Sequence, residues 1–226
     1  MKNDEQADAR TDTGVKILAL FFVSIMFLAY TTDPIATGTK EGDRAPALEG
    51  MVYNGNGWTT FDMSDYLSPD WTPGDTTKPW LLIDFMDTDC PYCIRSAEEM
   101  YQFSEYFMQR QLGDDGTPAW KGPKVNFIAS ATQLDIKGHE SSRAEIIGFR
   151  DLSGGESCGG SLCSERKGGQ HHFPYLDDLD QDNMKEWKIP GTPSYFLIQP
   201  DGIVAWSSAE HSDETVSDAI FRLTLG

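Results

Sequence analysis

The chain has 226 residues, enough for one domain with a sizeable core plus additions. Its 36 Asp and Glu against 18 Lys and Arg give a formal net charge of −18, which argues against nucleic acid or an anionic membrane surface as a partner. The acids are spread along the chain, so they read as a heavily solvated surface suited to saline surroundings, with an acidic docking face as the alternative.

Residues 1–16 are polar, mixed in charge and without apolar periodicity, and read as an unfolded tail. Residues 17–30, ILALFFVSIMFLAY, are apolar except for Ser24, slightly short of the roughly 17 to 25 residues of a spanning helix. We read 17–32 as an uncleaved transmembrane signal anchor with its N-terminus inside; a signal peptide cleaved near Ala29 or Ala36 is the alternative. Either reading puts the remainder outside the cytoplasm, and the first makes a single-pass protein of the cell membrane. Residues 33–41 then form a tether broken by Asp33-Pro34 and Gly38, and 42–226 form the folded domain.

In that domain, 51–53 and 58–61 around Asn54-Gly55-Asn56-Gly57 have the pattern of a β-hairpin, followed by a helical turn at 64–67. The loop 68–79 holds Trp71, which reads as a packing residue. Residues 80–86, WLLIDFM, suit a central strand covered on both faces, with Asp84 the one residue wrong for a core. A polar turn leads to Cys90-Pro91-Tyr92-Cys93, then to a helix expected over 94–111. Beyond a loop at 113–123 come a strand at 125–129, a helix at 140–149 led by Ser141 and Ser142, a strand near 195–198, an Asp201-Gly202 turn, and a last helix at 212–223. The order predicts an α/β fold with a mixed central sheet flanked by helices.

The two thiols therefore sit where a buried strand turns into a helix. Unpaired N–H groups and the positive end of the helix dipole favour a thiolate at Cys90, the expected nucleophile. Cys93 lies one turn on, placed to resolve a mixed disulfide, and Pro91 suits the first helical position. A structural disulfide or half of a zinc site is the alternative reading of Cys-x-x-Cys.

This segment resembles the thioredoxin superfamily. LLIDFMDTDCPYC matches its active-site strand, Asp-Phe and Cys-x-x-Cys; Gly42-Asp43-Arg44-Ala45-Pro46 is similar to the opening of the TlpA/ResA-like, membrane-anchored thiol-disulfide oxidoreductases; and Gly191-Thr192-Pro193, a strand and Asp201-Gly202 follow in the same order. The resemblance covers 42 to about 225. It implies a thioredoxin-like fold with an N-terminal β-hairpin extension and one N-terminal membrane helix, and thiol-disulfide exchange without a cofactor. The implied partners are protein thiols and disulfides of exported proteins and a membrane electron donor or acceptor, with no nucleic acid. By the same resemblance Asp84 matches the buried acid that exchanges a proton with Cys93, Pro193 the cis-proline that turns the Thr192 backbone to substrate, and Pro91 and Tyr92 the substrate shoulder.

Departures bear on direction. Asp89 stands where thioredoxins carry Trp and Met86 replaces another aromatic. Asp87 and Asp89 are expected to oppose the Cys90 thiolate and raise its pKa. Pro-Tyr between the cysteines is similar to glutaredoxins, whose potentials lie at about −200 to −230 mV. The peroxiredoxin pattern Pro-x-x-x-Thr-x-x-Cys is absent, since Ile83 and Asp87 hold its positions. The alternative functions are a Sco-like copper chaperone, whose Cys-x-x-x-Cys is one residue longer, and a non-catalytic thioredoxin-like binding module.

The family pattern leaves one insert unexplained, 152–172, a Gly/Ser-rich stretch with Cys158, Cys163, His171 and His172. A local Cys158–Cys163 structural disulfide is the simplest reading outside the cytoplasm. A Cys2His2 metal site and a second redox pair are the alternatives. Each histidine alone reads as a solvated loop residue.

Overall fold

The computed structural model describes residues 4–31 and 35–225, and the chain divides into two units after Ala36. The first holds α1 (Asp4–Thr31), 28 residues long. The tail expected to be unfolded is helical from Asp4, because Glu5, Gln6, Ala7, Ala9 and Arg10 are good helix formers and extending a formed helix costs little. Among the described residues, no helix is long and apolar enough to cross a membrane. The C-terminal end of the expected span, residue 32, lies outside the described residues, as does 33–34 of the tether.

The second unit begins at Thr37, earlier than the boundary expected at 42. Gly38 N–H donates to the Arg44 carbonyl (2.9 Å), Glu41 N–H to Glu210 Oε2 (2.8 Å) and Gly42 N–H to the Val204 carbonyl (2.9 Å). The supposed tether is thus held by backbone groups that find their partners in the domain.

Its elements in chain order are β1 (Glu49–Tyr53), β2 (Trp58–Asp62), a 3-10 turn at Met63–Tyr66, β3 (Trp80–Met86), α2 (Pro91–Phe107), β4 (Val125–Thr132), α3 (Arg143–Asp151), β5 (Ser157–Cys158), β6 (Ser161–Leu162), β7 (Tyr175–Asp178), α4 (Asp182–Glu186), β8 (Ser194–Ile198), β9 (Val204–Ser207) and α5 (Val216–Leu225). Seven strands form one mixed sheet in the order β2-β1-β7-β4-β3-β8-β9. At its centre β3 runs parallel to β4, with Trp80 opposite Val125, and antiparallel to β8, with Asp84 opposite Tyr195. The expected hairpin forms, and β1 joins it to the sheet by pairing with β7.

All seven residues of β3 are buried, as a strand with cores on both faces requires. Trp80, Leu82 and Met86 enter one core with Cys93, Ala97 and Met100 of α2, Ile146 and Phe149 of α3, and Ala219 and Ile220 of α5. Leu81, Ile83 and Phe85 enter the other, with Trp187, Ile189 and Met63. Period-two alternation puts Asp84 on the α2 face. Trp71 packs edge-on to Trp80, ring centres 5.9 Å apart.

Several boundaries differ from expectation. α2 starts at Pro91, as its place at the first helical position implied, but ends at Phe107 rather than 111, since Gln109 takes φ +61, which a helix cannot continue. α3 is capped by Ser142, whose Oγ accepts from Glu145 N–H. Thr215, rather than Ser212, opens α5, its Oγ1 accepting from Asp218 N–H. β7 and α4 have no counterpart in the sequence reading. β7 ends on Asp178, which caps α4 by accepting from Asn183 N–H (2.8 Å) and Met184 N–H (2.9 Å).

Candidate active site

The polar turn 87–89 brings Cys90 to the N-cap of α2 with Pro91 in its first turn. Cys90 N–H donates to the Asp87 carbonyl at 3.1 Å. Its Sγ donates to the Thr192 carbonyl at 3.3 Å, and the Thr192–Pro193 peptide is cis, so the two distant motifs meet at this sulfur. Cys93 lies one turn into the helix; both thiols are free and buried. Tyr92 stands out at 65% exposure, with Arg95 4.3 Å over its ring.

The sulfurs and Asp84 form one electrostatic unit. A hydrogen bond from Cys93, helped by Thr192 and the N–H groups of Tyr92 and Cys93 and opposed by burial, pulls the Cys90 pKa down to about 5. Cys93 moves the other way, raised by burial, by its bond to Cys90 and by the Asp84 charge. Burial, then the charge on Cys90, pushes Asp84 up to about 8. Asp84 Oδ1 is buried and takes no hydrogen bond among the described residues. The arrangement supplies an ionised sulfur, a protonated neighbour and a carboxyl that titrates near neutrality.

The expectation that Asp87 and Asp89 raise the Cys90 pKa is overturned. Asp87 is fully buried, yet its Oδ1 accepts from Asp89 N–H (2.8 Å) and Ser141 Oγ (3.2 Å), and its Oδ2 from Leu134 N–H (2.9 Å) and His139 Nδ1 (2.7 Å). Asp89 accepts from Glu140 N–H (3.1 Å) and Gly159 N–H (2.7 Å). Both carboxylates hold the loop through these bonds, and the Cys90 pKa is lowered rather than raised. His139 was missed because no motif marks it. The available signal is topological: β3 and β4 are parallel neighbours, so the loops leaving them emerge at one sheet edge.

The insert builds the other wall. Cys158 and Cys163 form a disulfide that closes the β5–β6 hairpin, and both are buried. Gly159 takes φ +59, and a Cβ there would lie 3.0 Å from the Asp89 carbonyl oxygen and 2.6 Å from Ile94 Cδ1. A cleft of about 670 Å³ runs between this hairpin and the first turns of α2, lined by Pro91, Ile94, Arg95, Glu98, Leu162 and Lys167 among others.

His171 is not a solvated loop residue. It is 1% exposed, its Nε2 donates to the Ala97 carbonyl (2.9 Å), its Nδ1 accepts from Tyr175 Oη (2.6 Å), and its ring stacks on Phe173. Burial, then the nearby Arg166, pulls its pKa down to about 3, so it is neutral. His172 is exposed, as a solvated loop residue would be, 3.9 Å from Glu105. The Cys2His2 set does not assemble, as its sulfurs are bonded to each other. Among the described residues, no group of three or more His, Cys, Asp or Glu could hold a metal ion.

No protein-family model matches the chain, and no curated protein matches it. Among solved structures, it is similar to a provisionally assigned thiol:disulfide interchange protein DsbE from Chlorobium tepidum, at 17% identity and a TM-score of 0.51, over 84% of this chain and 100% of that one. It is also similar to the thioredoxin domain of a thiol-disulfide oxidoreductase from Bacteroides vulgatus (16% identity, TM-score 0.46, 80% and 92% covered). A 2-Cys peroxiredoxin from Plasmodium vivax follows (13% identity, TM-score 0.48, 74% and 70% covered). The fold is thioredoxin-like, a mixed sheet flanked by helices.

Proposed function

We propose that the chain is a thiol-disulfide oxidoreductase acting on cysteines of exported proteins, held at the cell membrane as a single-pass protein by residues 17–32, with its catalytic domain outside the cytoplasm. The observation that carries the reading is the meeting of Cys90, Cys93, Asp84 and the Thr192–Pro193 peptide at the start of one helix. In the reducing direction the Cys90 thiolate attacks one sulfur of a substrate disulfide, forming a mixed disulfide and releasing the other sulfur as a thiolate, which takes a proton. Cys93 then gives its proton to ionised Asp84 and attacks Cys90 Sγ. The substrate leaves as a dithiol, reduced by two electrons, and a Cys90–Cys93 disulfide remains for a membrane electron donor to reduce. The oxidising direction runs the same steps backwards, with an electron acceptor in the donor's place.

Thr192 and Pro193 would lie alongside the substrate backbone, with Pro91 and Tyr92 as the exposed shoulder it meets. A thiolate stabilised as Cys90 is favours the dithiol over the disulfide, which weights the reading towards oxidant or isomerase within a TlpA/ResA-like anchored architecture. Insulin reduction with Cys90→Ala as control, together with the Cys90/Cys93 potential, tests it. A potential of about −120 to −180 mV supports this direction, and about −270 mV or below makes the protein a reductase. Tight copper binding without any turnover overturns the oxidoreductase reading in favour of a chaperone.

A further inference from the structure

We propose that His139 is a positioning residue for the Cys90 thiolate: by pairing with Asp87 it keeps the acidic corner between β3 and α2 from opposing charge on the sulfur. The inference rests on Cys90 being the attacking thiol.

The corner poses a physical problem. Asp87 is 0% exposed, so no solvent spreads its charge, and its own carbonyl holds the Cys90 N–H. Of the four donors on its carboxylate, Asp89 N–H, Leu134 N–H and Ser141 Oγ are neutral. They satisfy the oxygens but bring no charge of their own to a carboxylate three residues before the sulfur. Among these donors only His139, at 2.7 Å and with a side chain 14% exposed, can bring a compensating charge.

The surroundings favour its protonated form. From the β3–α2 corner, Asp87, Asp89 and Cys90 all act on the ring; from α3, Glu145 reaches the same corner through Thr88 Oγ1 (3.2 Å); Glu140 and Lys137 flank the ring on its own loop. Lys137 is the one cation in that set. Burial opposes charging His139, but the hydrogen bond and charge of Asp87, followed by Asp89 and Cys90, outweigh it and raise its pKa. The coupling is reciprocal, so a thiolate that favours the imidazolium is favoured by it in return. As pH rises and His139 loses its proton, the Asp87–His139 pair becomes net negative and opposes the sulfur's charge.

His139→Asn and His139→Ala separate charge from architecture, because the Asn amide can reach Asp87 where Nδ1 does and carries no charge. In the full chain, the rate of Cys90 alkylation by iodoacetamide, located by peptide mass spectrometry, is followed from pH 4 to 9. Both variants are expected to react about three- to tenfold more slowly below pH 6, with profiles displaced upward. Their potentials against glutathione should become more reducing by the same factor, about 30 mV for tenfold. If His139→Asn keeps the parental profile and potential, the residue is only architectural and the inference fails, whether or not His139→Ala folds. A parental Cys90 that titrates like an ordinary thiol overturns both this role and the reading beneath it.

Discussion

Two cysteine pairs sit in one hydrophobic core, and their local fold separates them. Cys90 and Cys93 lie at a helix start, with first-turn N–H groups, a carboxyl and a foreign carbonyl turned towards the sulfurs. Cys158 and Cys163 lie across a two-residue hairpin, bonded to each other and surrounded by packing. Burial is common to both and decides neither; what differs is whether the surroundings stabilise charge on one sulfur. A pair with divergent acidities is suited to exchange, whereas a pair already bonded across a closed hairpin clasps that hairpin.

The sharpest way to break this comparison is Cys90→Ala, which should remove insulin turnover altogether, at least about a thousandfold, while the double variant Cys158→Ser/Cys163→Ser retains it. Turnover lost in the second and kept in the first would reverse the assignment. Next comes Asp84→Asn, expected to lower turnover about ten- to a hundredfold by removing the proposed proton acceptor for Cys93. It also has a stability signature. The folded pKa of Asp84, about 8, lies above its ordinary value of 3.8, so the native state holds the proton more tightly and stability falls as pH rises through that window. Urea titrations at pH 5 and 8 should show that decline in the parent and a flatter response in Asp84→Asn.

Opening the clasp should cost about 2 kcal/mol of stability, the entropy of a short loop, read from the urea midpoint of the double serine variant. Gly159→Ala should cost about 1 to 2 kcal/mol, since it strains a left-handed backbone and presses on the Asp89 carbonyl. If it also displaces the pH profile of Cys90, the hairpin tunes the thiol through Asp89 as well as covering it.

The central strand, the thiol-bearing helix and the β1–β2 hairpin were legible because each has a strong local pattern: an unbroken apolar run, a Cys-x-x-Cys with Pro91, and Asn-Gly turn chemistry. The Cys158–Cys163 bond was legible from the short spacing of two cysteines in a Gly/Ser-rich stretch. β7 and α4 were not, since Tyr175–Asp178 is half acidic and its last carboxyl serves as a helix cap, a tertiary use that no local pattern announces. Asp87 and Asp89 misled for the same reason. As a string they read as repulsive charge, and only the folded loop supplies the six donors that occupy them. His171 looked solvated among glycines, but its neighbours Phe173 and Tyr175 belong to the core and carry it inside.

The register of β8 on β3 fixes the polarity of the domain. Leu81 pairs with Ile198, so the turn at 199–203 lies at the start of β3, where Ala45 N–H meets the Gly202 carbonyl, while Cys90 follows the far end of that strand. Seven residues of extended chain, about 23 Å, separate these poles. Within this unit the chain's first paired segment lies at one pole and the two free sulfurs at the other, so a change at either end has the full length of the central strand to cross before it reaches the other.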